Sequence, residues 1–94
     1  MTVPIAQGVH VTDDTLTVEL TDGRSISVPL VWFPRLLNAT AQERGNWRLI
    51  GQGQGIHWED LDEDISVAGL LAGEPSGESQ ASLSKWLKKR YKGK

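Results

Sequence analysis

The sequence predicts an α+β fold in which a small antiparallel β-meander packs with short helices and a C-terminal amphipathic helix. Two segments, 15–20 and 25–28, alternate polar and apolar residues with the period of a half-buried strand. Residues 79–91 instead repeat their apolar side chains at the spacing of an α-helix. With 94 residues, the chain has room for one modest core, so these elements are expected to share it.

The meander is expected over residues 8–29. Its first strand covers residues 9–12, and the two alternating segments supply the second and third strands. Between them, Asp22-Gly23 is a dipeptide that adopts the positive φ angles of a tight hairpin. Pro29 then ends the third strand, because proline cannot donate to a central ladder.

The middle of the chain is expected to hold short elements with recognisable ends. Pro34 favours a single helical turn over the next three residues. Thr40 and Glu43 have the spacing of a capping box, and the helix they begin should end at Gly45. Strands are expected at 47–50 and 56–58, and Ser66 is expected to cap a further helix over 67–71.

Two units are expected along the chain: a compact α+β domain over 1–73, and a hinge with a basic amphipathic helix over 74–94. The composition of residues 74–77 is typical of a hinge. An isolated helix of this length is marginal in water, so its apolar face should dock on the acidic body or on a symmetry mate. That face comprises Leu83, Trp86, Leu87 and Tyr91.

The charges of these two units have opposite signs. The first 73 residues carry four basic and ten acidic side chains, whereas the last 21 carry six basic and two acidic ones. The net charge of −2 therefore conceals an acidic body and a basic tail. Such parts attract each other within one chain or between two chains.

Composition also narrows the classes of function. The chain contains no cysteine, which excludes disulfides, thiolate catalysis and cysteine-based zinc sites. No signal segment is apparent at its start and no long apolar run occurs, so a soluble, cytoplasmic protein of prokaryotic style is expected, with no membrane partner. No cofactor is expected either.

An acidic run near the middle resembles a calcium loop only in part. Asp60, Asp62 and Asp64 alternate like the first ligands of an EF-hand. However, Ile65 stands where that loop needs glycine, and Leu71 stands where it needs the closing glutamate. The favoured interpretation is an acidic loop whose carboxylates cap the following helix, with no metal bound.

The other polar features have structural interpretations that outweigh the catalytic ones. His57 with Glu59 or Asp60 could form an acid–base pair, but the sequence has neither a nucleophile elbow nor an H-E-x-x-H pattern. Glycines alternate over residues 51–55 without the helix or lysine that a phosphate cradle requires, which favours a close backbone approach. Three indoles are expected in the core rather than in a ligand groove: Trp32, Trp47 and Trp58.

Residues 47–51, followed by the run from Gly55 to Ile65, resemble the family known as domain of unknown function 2442. Similar positions at 22–24, 30–36 and 66–71 extend the resemblance over about residues 8–73. The resemblance implies a small bacterial protein with a compact α+β fold. Some members are fused to a helix-turn-helix domain, and some are similar to partners in toxin–antitoxin-like gene pairs. The resemblance implies no catalytic residues.

These observations predict a non-enzymatic interaction module, and the more specific form of this prediction is the antitoxin-like member of such a pair. The expected partner is another small, basic protein, and in its absence the helix should pack onto a second copy to form a homodimer. Two alternatives stay open: a nucleic-acid accessory that uses the basic tail, and a small-ligand or enzyme site around His57. The predicted partner-binding residues are Trp58, Glu59, Asp60, Asp62, Glu63, Asp64, Leu83, Trp86, Leu87 and Tyr91.

Overall fold

The structure, a computed structural model, describes residues 4–92, and of the last two only the backbone. These residues form six strands and four helices, which confirms the predicted α+β class. The strands are β1 (Ala6–Val11), β2 (Thr15–Leu20), β3 (Ser25–Pro29), β4 (Trp47–Ile50), β5 (Gly55–Trp58) and β6 (Glu63–Ser66). The helices are α1 (Pro34–Leu37), α2 (Ala41–Gly45), α3 (Val67–Leu71) and α4 (Gln80–Lys92).

The first sheet is the predicted meander, with antiparallel strands in the order β1-β2-β3. Leu16, Val18 and Leu20 alternate along its central strand and are fully buried, as the period-two pattern predicts. Gly23 has a φ of +93° in the hairpin turn, a conformation that glycine adopts at little cost. The sheet begins slightly earlier than expected, at Ala6.

The second sheet has the order β4-β5-β6, and its third strand corrects the prediction of an acidic loop. Asp62 has a left-handed conformation with a φ of +51° that reverses the chain, and aspartate tolerates this region better than most residues. The following residues then pair with β5, with Ile65 opposite Ile56. The carboxylates do not cap α3; the Ser66 hydroxyl does, by accepting a hydrogen bond from the Gly69 amide at 2.9 Å.

Both sheets contribute to one hydrophobic core, which also takes in α1 and α3. Trp58 is completely buried there, and its Nε1 donates to the Arg44 carbonyl oxygen at 3.0 Å. Trp32 and Trp47 are partly buried and pack against the same core. All three indoles therefore contribute to the core, as the sequence predicts.

Gly53 supports the prediction of a close backbone approach. Its φ is +93°, and a Cβ added there would lie 3.0 Å from the Ala6 carbonyl oxygen and from the Ile5 Cβ. Any larger residue would thus push the connection between β4 and β5 away from the start of the first sheet. The neighbour is the N-terminal end of β1.

The predicted capping box at the start of α2 is present. Glu43 donates its backbone N–H to the Thr40 hydroxyl at 3.1 Å, and its carboxylate accepts from the Thr40 amide at 2.9 Å. We expect Thr40→Ala to lower the free energy of unfolding by about 1 kcal/mol, as measured by urea denaturation. Thr21→Ala is the matched control, because the exposed Thr21 hydroxyl has no hydrogen-bond partner among the described residues; equal losses from the two variants would contradict the cap assignment.

Candidate interaction surface

Helix α4 lies against the body of its own chain, anchored by Trp86. The guanidinium carbons of Arg35 and Arg90 lie 5.2 and 4.6 Å from the centroid of its indole ring, within the range of cation–π attraction. Leu83 and Leu87 are half-buried on the same face. The backbone of Tyr91 continues the helix, but the predicted role of its side chain lies outside the described residues.

Arg35 ties three parts of the molecule together. Its Nε and Nη2 donate to the two carboxylate oxygens of Glu78 at 2.7 and 2.9 Å, just ahead of α4. Its Nη1 donates to the carbonyl oxygen of Leu61 at 2.9 Å. The two charged side chains are only 17% and 8% exposed, so this bidentate pair is poorly screened by solvent. Hydrogen bonding from Arg35 lowers the pKa of Glu78.

A second ion pair holds the other end of the helix. Arg90 donates to both carboxylate oxygens of Glu43 at 2.7 and 3.0 Å. This hydrogen bonding is the main reason that the pKa of Glu43 falls to about 2. The Arg90 pair has the polarity that the charge pattern predicts, a basic tail on an acidic body. The Arg35–Glu78 pair has the opposite polarity, with the cation on the body.

Residues 59–64, which we call the acidic segment, run from a 3₁₀ turn over Glu59–Leu61 into strand β6. The side chains at 59, 60, 62 and 64 are exposed. Asp60 accepts a hydrogen bond from the Asn46 side-chain amide at 2.9 Å, whereas the Asp62 carboxylate has no partner among the described residues. Trp58, predicted to bind a partner alongside these residues, is fully buried and does not face outward.

Glu63 is the exception within the acidic segment. It lies opposite Trp58 on the inner face of the second sheet, and its Oε2 is buried without a hydrogen-bond partner among the described residues. The pKa of this carboxyl is raised to about 7, mainly by burial; the charge of Arg35 opposes the rise, and the charges of Glu78 and Asp64 add to it. Glu63 also lines a hollow of about 280 Å³ beneath residues 74–77. It is therefore a structural carboxyl rather than a partner-facing one.

His57 occupies the outer face of the second sheet between two carboxylates. Its Nδ1 forms a short hydrogen bond with Asp64, its Nε2 lies 2.8 Å from Glu59, and Arg48 lies 3.8 Å from the same glutamate. Hydrogen bonding to Glu59 and then to Asp64 raises the pKa of the imidazole. Both ring nitrogens have carboxylate partners within the chain, which holds the imidazole in one orientation on the sheet. This arrangement favours a structural role over an acid–base site.

An open groove of about 730 Å³ runs between α4 and the acidic segment. We call it the lysine groove, because Lys85, Lys88 and Lys89 line it together with Arg35, Asp62, Ser82 and Trp86. The three lysines are exposed, and none forms an ion pair with a described residue. Helix geometry explains their grouping, since residues three and four apart share one face.

No cluster of three or more histidine, aspartate or glutamate side chains is arranged to hold a metal ion among residues 4–90. The alternating aspartates do not form one loop, because Asp60 lies in the 3₁₀ turn, Asp62 reverses the chain and Asp64 points outward from β6. Within the same part of the chain, no helix is long and apolar enough to cross a membrane.

The family resemblance depends mainly on strands β4 and β5 and on the acidic segment that follows them. The sequence profile described as "Protein of unknown function (DUF2442)" matches residues 6–76, three quarters of the chain. The chain belongs to this family. The matched region ends before α4, so the family signature lies in the two sheets, the short helices and the acidic segment.

Two solved structures share the fold of this DUF2442 chain. A protein of unknown function from Rhodospirillum rubrum is 28% identical with a TM-score of 0.70, covering 87% of this chain and 99% of that one. An uncharacterised protein from Chromobacterium violaceum is 20% identical with a TM-score of 0.66, covering 86% of this chain and 74% of that one. No functionally curated protein matches significantly.

Proposed function

We propose that this DUF2442 protein is a non-enzymatic protein-interaction module that binds a small basic protein through its acidic segment. The observation that carries the proposal is the set of exposed carboxylates at 59, 60, 62 and 64, which project from a turn and a strand of fixed geometry. Concentrated negative charge on a surface speeds the approach of a basic partner and discriminates against acidic ones.

The acidic segment is held in place before any partner arrives. Pairing of β6 with β5 fixes one end, and Arg35 binds the carbonyl oxygens of Leu61 and Asp62 from beneath. A preorganised surface loses little conformational entropy on binding, so more of the interaction energy appears as affinity. The proposed role of α4 is therefore to brace the acidic segment through Arg35 and Glu78.

This assignment changes the predicted mechanism in one respect. The sequence predicts that the apolar face of α4 binds the partner, but Trp86, at the centre of that face, packs against the core of its own chain, and Leu83 and Leu87 beside it are half-buried. The partner contact is thus proposed to be mainly electrostatic, and weaker at high salt. In the antitoxin-like form of the proposal, the bound basic protein is a toxin whose surface the acidic segment covers.

The test is affinity capture from the source organism with the full chain and two matched variants. We expect Asp60→Asn/Asp62→Asn to bind the captured basic protein at least about tenfold more weakly, because it removes the two least compensated charges. Asn is chosen because it tolerates the left-handed conformation of Asp62. The control Asp13→Asn/Glu74→Gln removes two exposed charges elsewhere and should bind like wild type. Equal binding by both variants, or the absence of any stoichiometric basic protein, would refute the proposal.

The lysine groove favours a second candidate function, that of a nucleic-acid accessory. Lys85, Lys88 and Lys89 could neutralise phosphates, whereas Asp62 and the acidic body would repel them. DNA or RNA binding that falls steeply with salt and requires these lysines would favour this function over the first.

A further inference from the structure

We propose that the lysine groove is a docking site for the acidic segment of a second copy of this chain, so that two copies associate reciprocally about a two-fold axis. The association goes beyond the proposed partner function, because it involves no other protein. It rests on where the two charged surfaces lie relative to each other and on which charges already have partners.

The two surfaces are adjacent and opposite in charge. Asp62 belongs to the acidic segment and also lines the lysine groove, with Lys85 and Lys89 on the helix side. In a dimer with a two-fold axis beside the groove, each patch of one copy faces the neighbouring patch of the other copy. The acidic segment of the second copy would therefore lie on the lysines of the first copy. The lysines of the second copy would meet the acidic segment of the first copy at the same time.

The unpaired charges of the described residues are found mainly on the two sides of this groove. On the body, the arginines have carboxylate partners, as in Arg24 with Asp22 and Arg44 with Asp13. Lys85, Lys88 and Lys89 have none among the described residues. In the acidic segment, Asp62, which lines the groove, has no hydrogen-bond or ion-pair partner among the described residues, and Asp60 has only the neutral Asn46. A second copy supplies both missing counter-charges in one association.

The groove is not purely ionic. The half-buried Trp86 contributes aromatic surface to it, and Arg35 lies at its inner end with its charge already engaged by Glu78. Aromatic surface at the centre with charged groups around it is typical of protein interfaces. Nucleic acid fits the same groove less well, because a second copy brings lysines to pair with Asp62, whereas a phosphate backbone offers Asp62 no cation.

A charge-exchange experiment on the purified full chain tests the proposal. One variant, Lys85→Glu/Lys89→Glu, places two carboxylates opposite Asp60 and Asp62 of the second copy, and the other, Asp60→Lys/Asp62→Lys, places two lysines opposite the lysine groove of the second copy. Wild type is expected to sediment with twice the monomer mass of 10.3 kDa. Each variant alone should dimerise at least about tenfold more weakly, because both of its contacts become repulsive.

The decisive sample is the equimolar mixture of the two variants. In that mixture each contact again joins an acidic surface to a basic one, so a heterodimer of wild-type stability should form and weaken with added salt. Circular dichroism checks that each variant is folded. A monomeric wild type, variants that dimerise unchanged, or a mixture that stays monomeric would each overturn the proposal. A monomer that binds DNA or RNA instead would assign the groove to nucleic acid.

Discussion

Replacing Arg35 with methionine is expected to lower the free energy of unfolding by about 3 kcal/mol, the low end of the cost of breaking a buried ion pair from one side, because this pair is only partly buried. Glu78, only 8% exposed, would lose its cation. The carbonyl oxygens of Leu61 and Asp62 would lose a donor as well. Methionine keeps an unbranched apolar chain beside Trp86, so the loss comes mainly from the charge and the hydrogen bonds.

The double variant Arg35→Met/Glu78→Met separates the contribution of the ion pair from that of the hydrogen bonds to the two carbonyl oxygens. Removing both charges leaves neither member of the pair without its counter-ion, so we expect it to be about 2 kcal/mol more stable than the single variant. It should remain below wild type, because the two carbonyl oxygens still lack their donor. Arg24→Met is the matched control, since Arg24 and Asp22 form a similar but exposed pair. That control should cost less than about 1 kcal/mol.

Chemical denaturation measures these differences, and amide hydrogen exchange shows where they act. In Arg35→Met, the amides of α4 and of the acidic segment should exchange faster than those of the first sheet, because Arg35 connects the former two. Uniform acceleration across both sheets would instead indicate a general loss of stability. A cost no larger than that of Arg24→Met would contradict the role given to Arg35.

Most elements of this fold follow from local signals in the sequence. The hairpin around Asp22-Gly23, the capping box at Thr40 and the cap at Ser66 each depend on residues within three or four positions of one another. Such signals act before tertiary structure forms, and here the fold agrees with them. The meander and five of the shorter elements were therefore predictable from the chain alone.

Strand β6 could not be predicted in this way, because a strand is stabilised by its partner rather than by its own residues. Its residues include two carboxylates and only one apolar side chain, Ile65, which is a composition typical of a loop. Pairing with β5 and burial of Ile65 against the core outweigh that composition. Given the strand, its alternation would have placed Glu63 on the buried face with Ile65.

In the candidate surface, too, features within one segment could be predicted from the sequence, whereas contacts between distant segments could not. The exposed acidic residues and the apolar face of α4 are visible in the sequence, because each is a feature of one segment. Arg35 gave no such signal: its main partner, Glu78, is 43 positions away. The charge pattern predicts a basic tail against an acidic body, whereas in this contact the cation lies on the body and the anion lies just ahead of α4. Net charge cannot predict such a pair, because it sums over all residues of a segment.

Stability is expected to fall as pH rises from about 4.5 to about 7, because of Glu63. Its pKa is raised from 4.5 to about 7 in the folded protein, so between these values the folded state binds more protons than the unfolded state. Stability must then decrease with rising pH across this window and level off above it. We expect a loss of about 2 kcal/mol, since part of the side chain still contacts water.

Glu63→Gln removes this titration while keeping the size of the side chain. The variant should show a flatter stability profile from pH 5 to 7, and above pH 7 it should be more stable than wild type by about 1–2 kcal/mol. Urea denaturation at several pH values measures both effects. Glu74→Gln is the control, because it removes one negative charge from the exposed rim of the same hollow; a similar gain in that variant would mean that net charge, not burial, is responsible.

Glu43 and His57 also have shifted pKa values, but their pH windows differ from that of Glu63. Glu43, with a pKa lowered to about 2, contributes stability that is lost only as pH falls below about 4.5. His57, with a raised pKa, contributes stability that is complete below 6.5 and is lost as pH rises through its folded value. A slope that persists in Glu63→Gln between pH 5 and 6.5 therefore cannot come from either group.

The ionisation of Glu63 should also act on the C-terminal segment. Glu63 and Glu78 both experience the single guanidinium of Arg35, and the charge of Glu78 raises the pKa of Glu63. Deprotonation of Glu63 thus places a second negative charge beside the pair that holds α4. Amides of α4 should exchange faster, relative to those of β2, at pH 8 than at pH 5 after correction for intrinsic rates. The same ratio measured in Glu63→Gln should not change with pH. A change in that variant would mean that a group other than Glu63 causes the pH dependence.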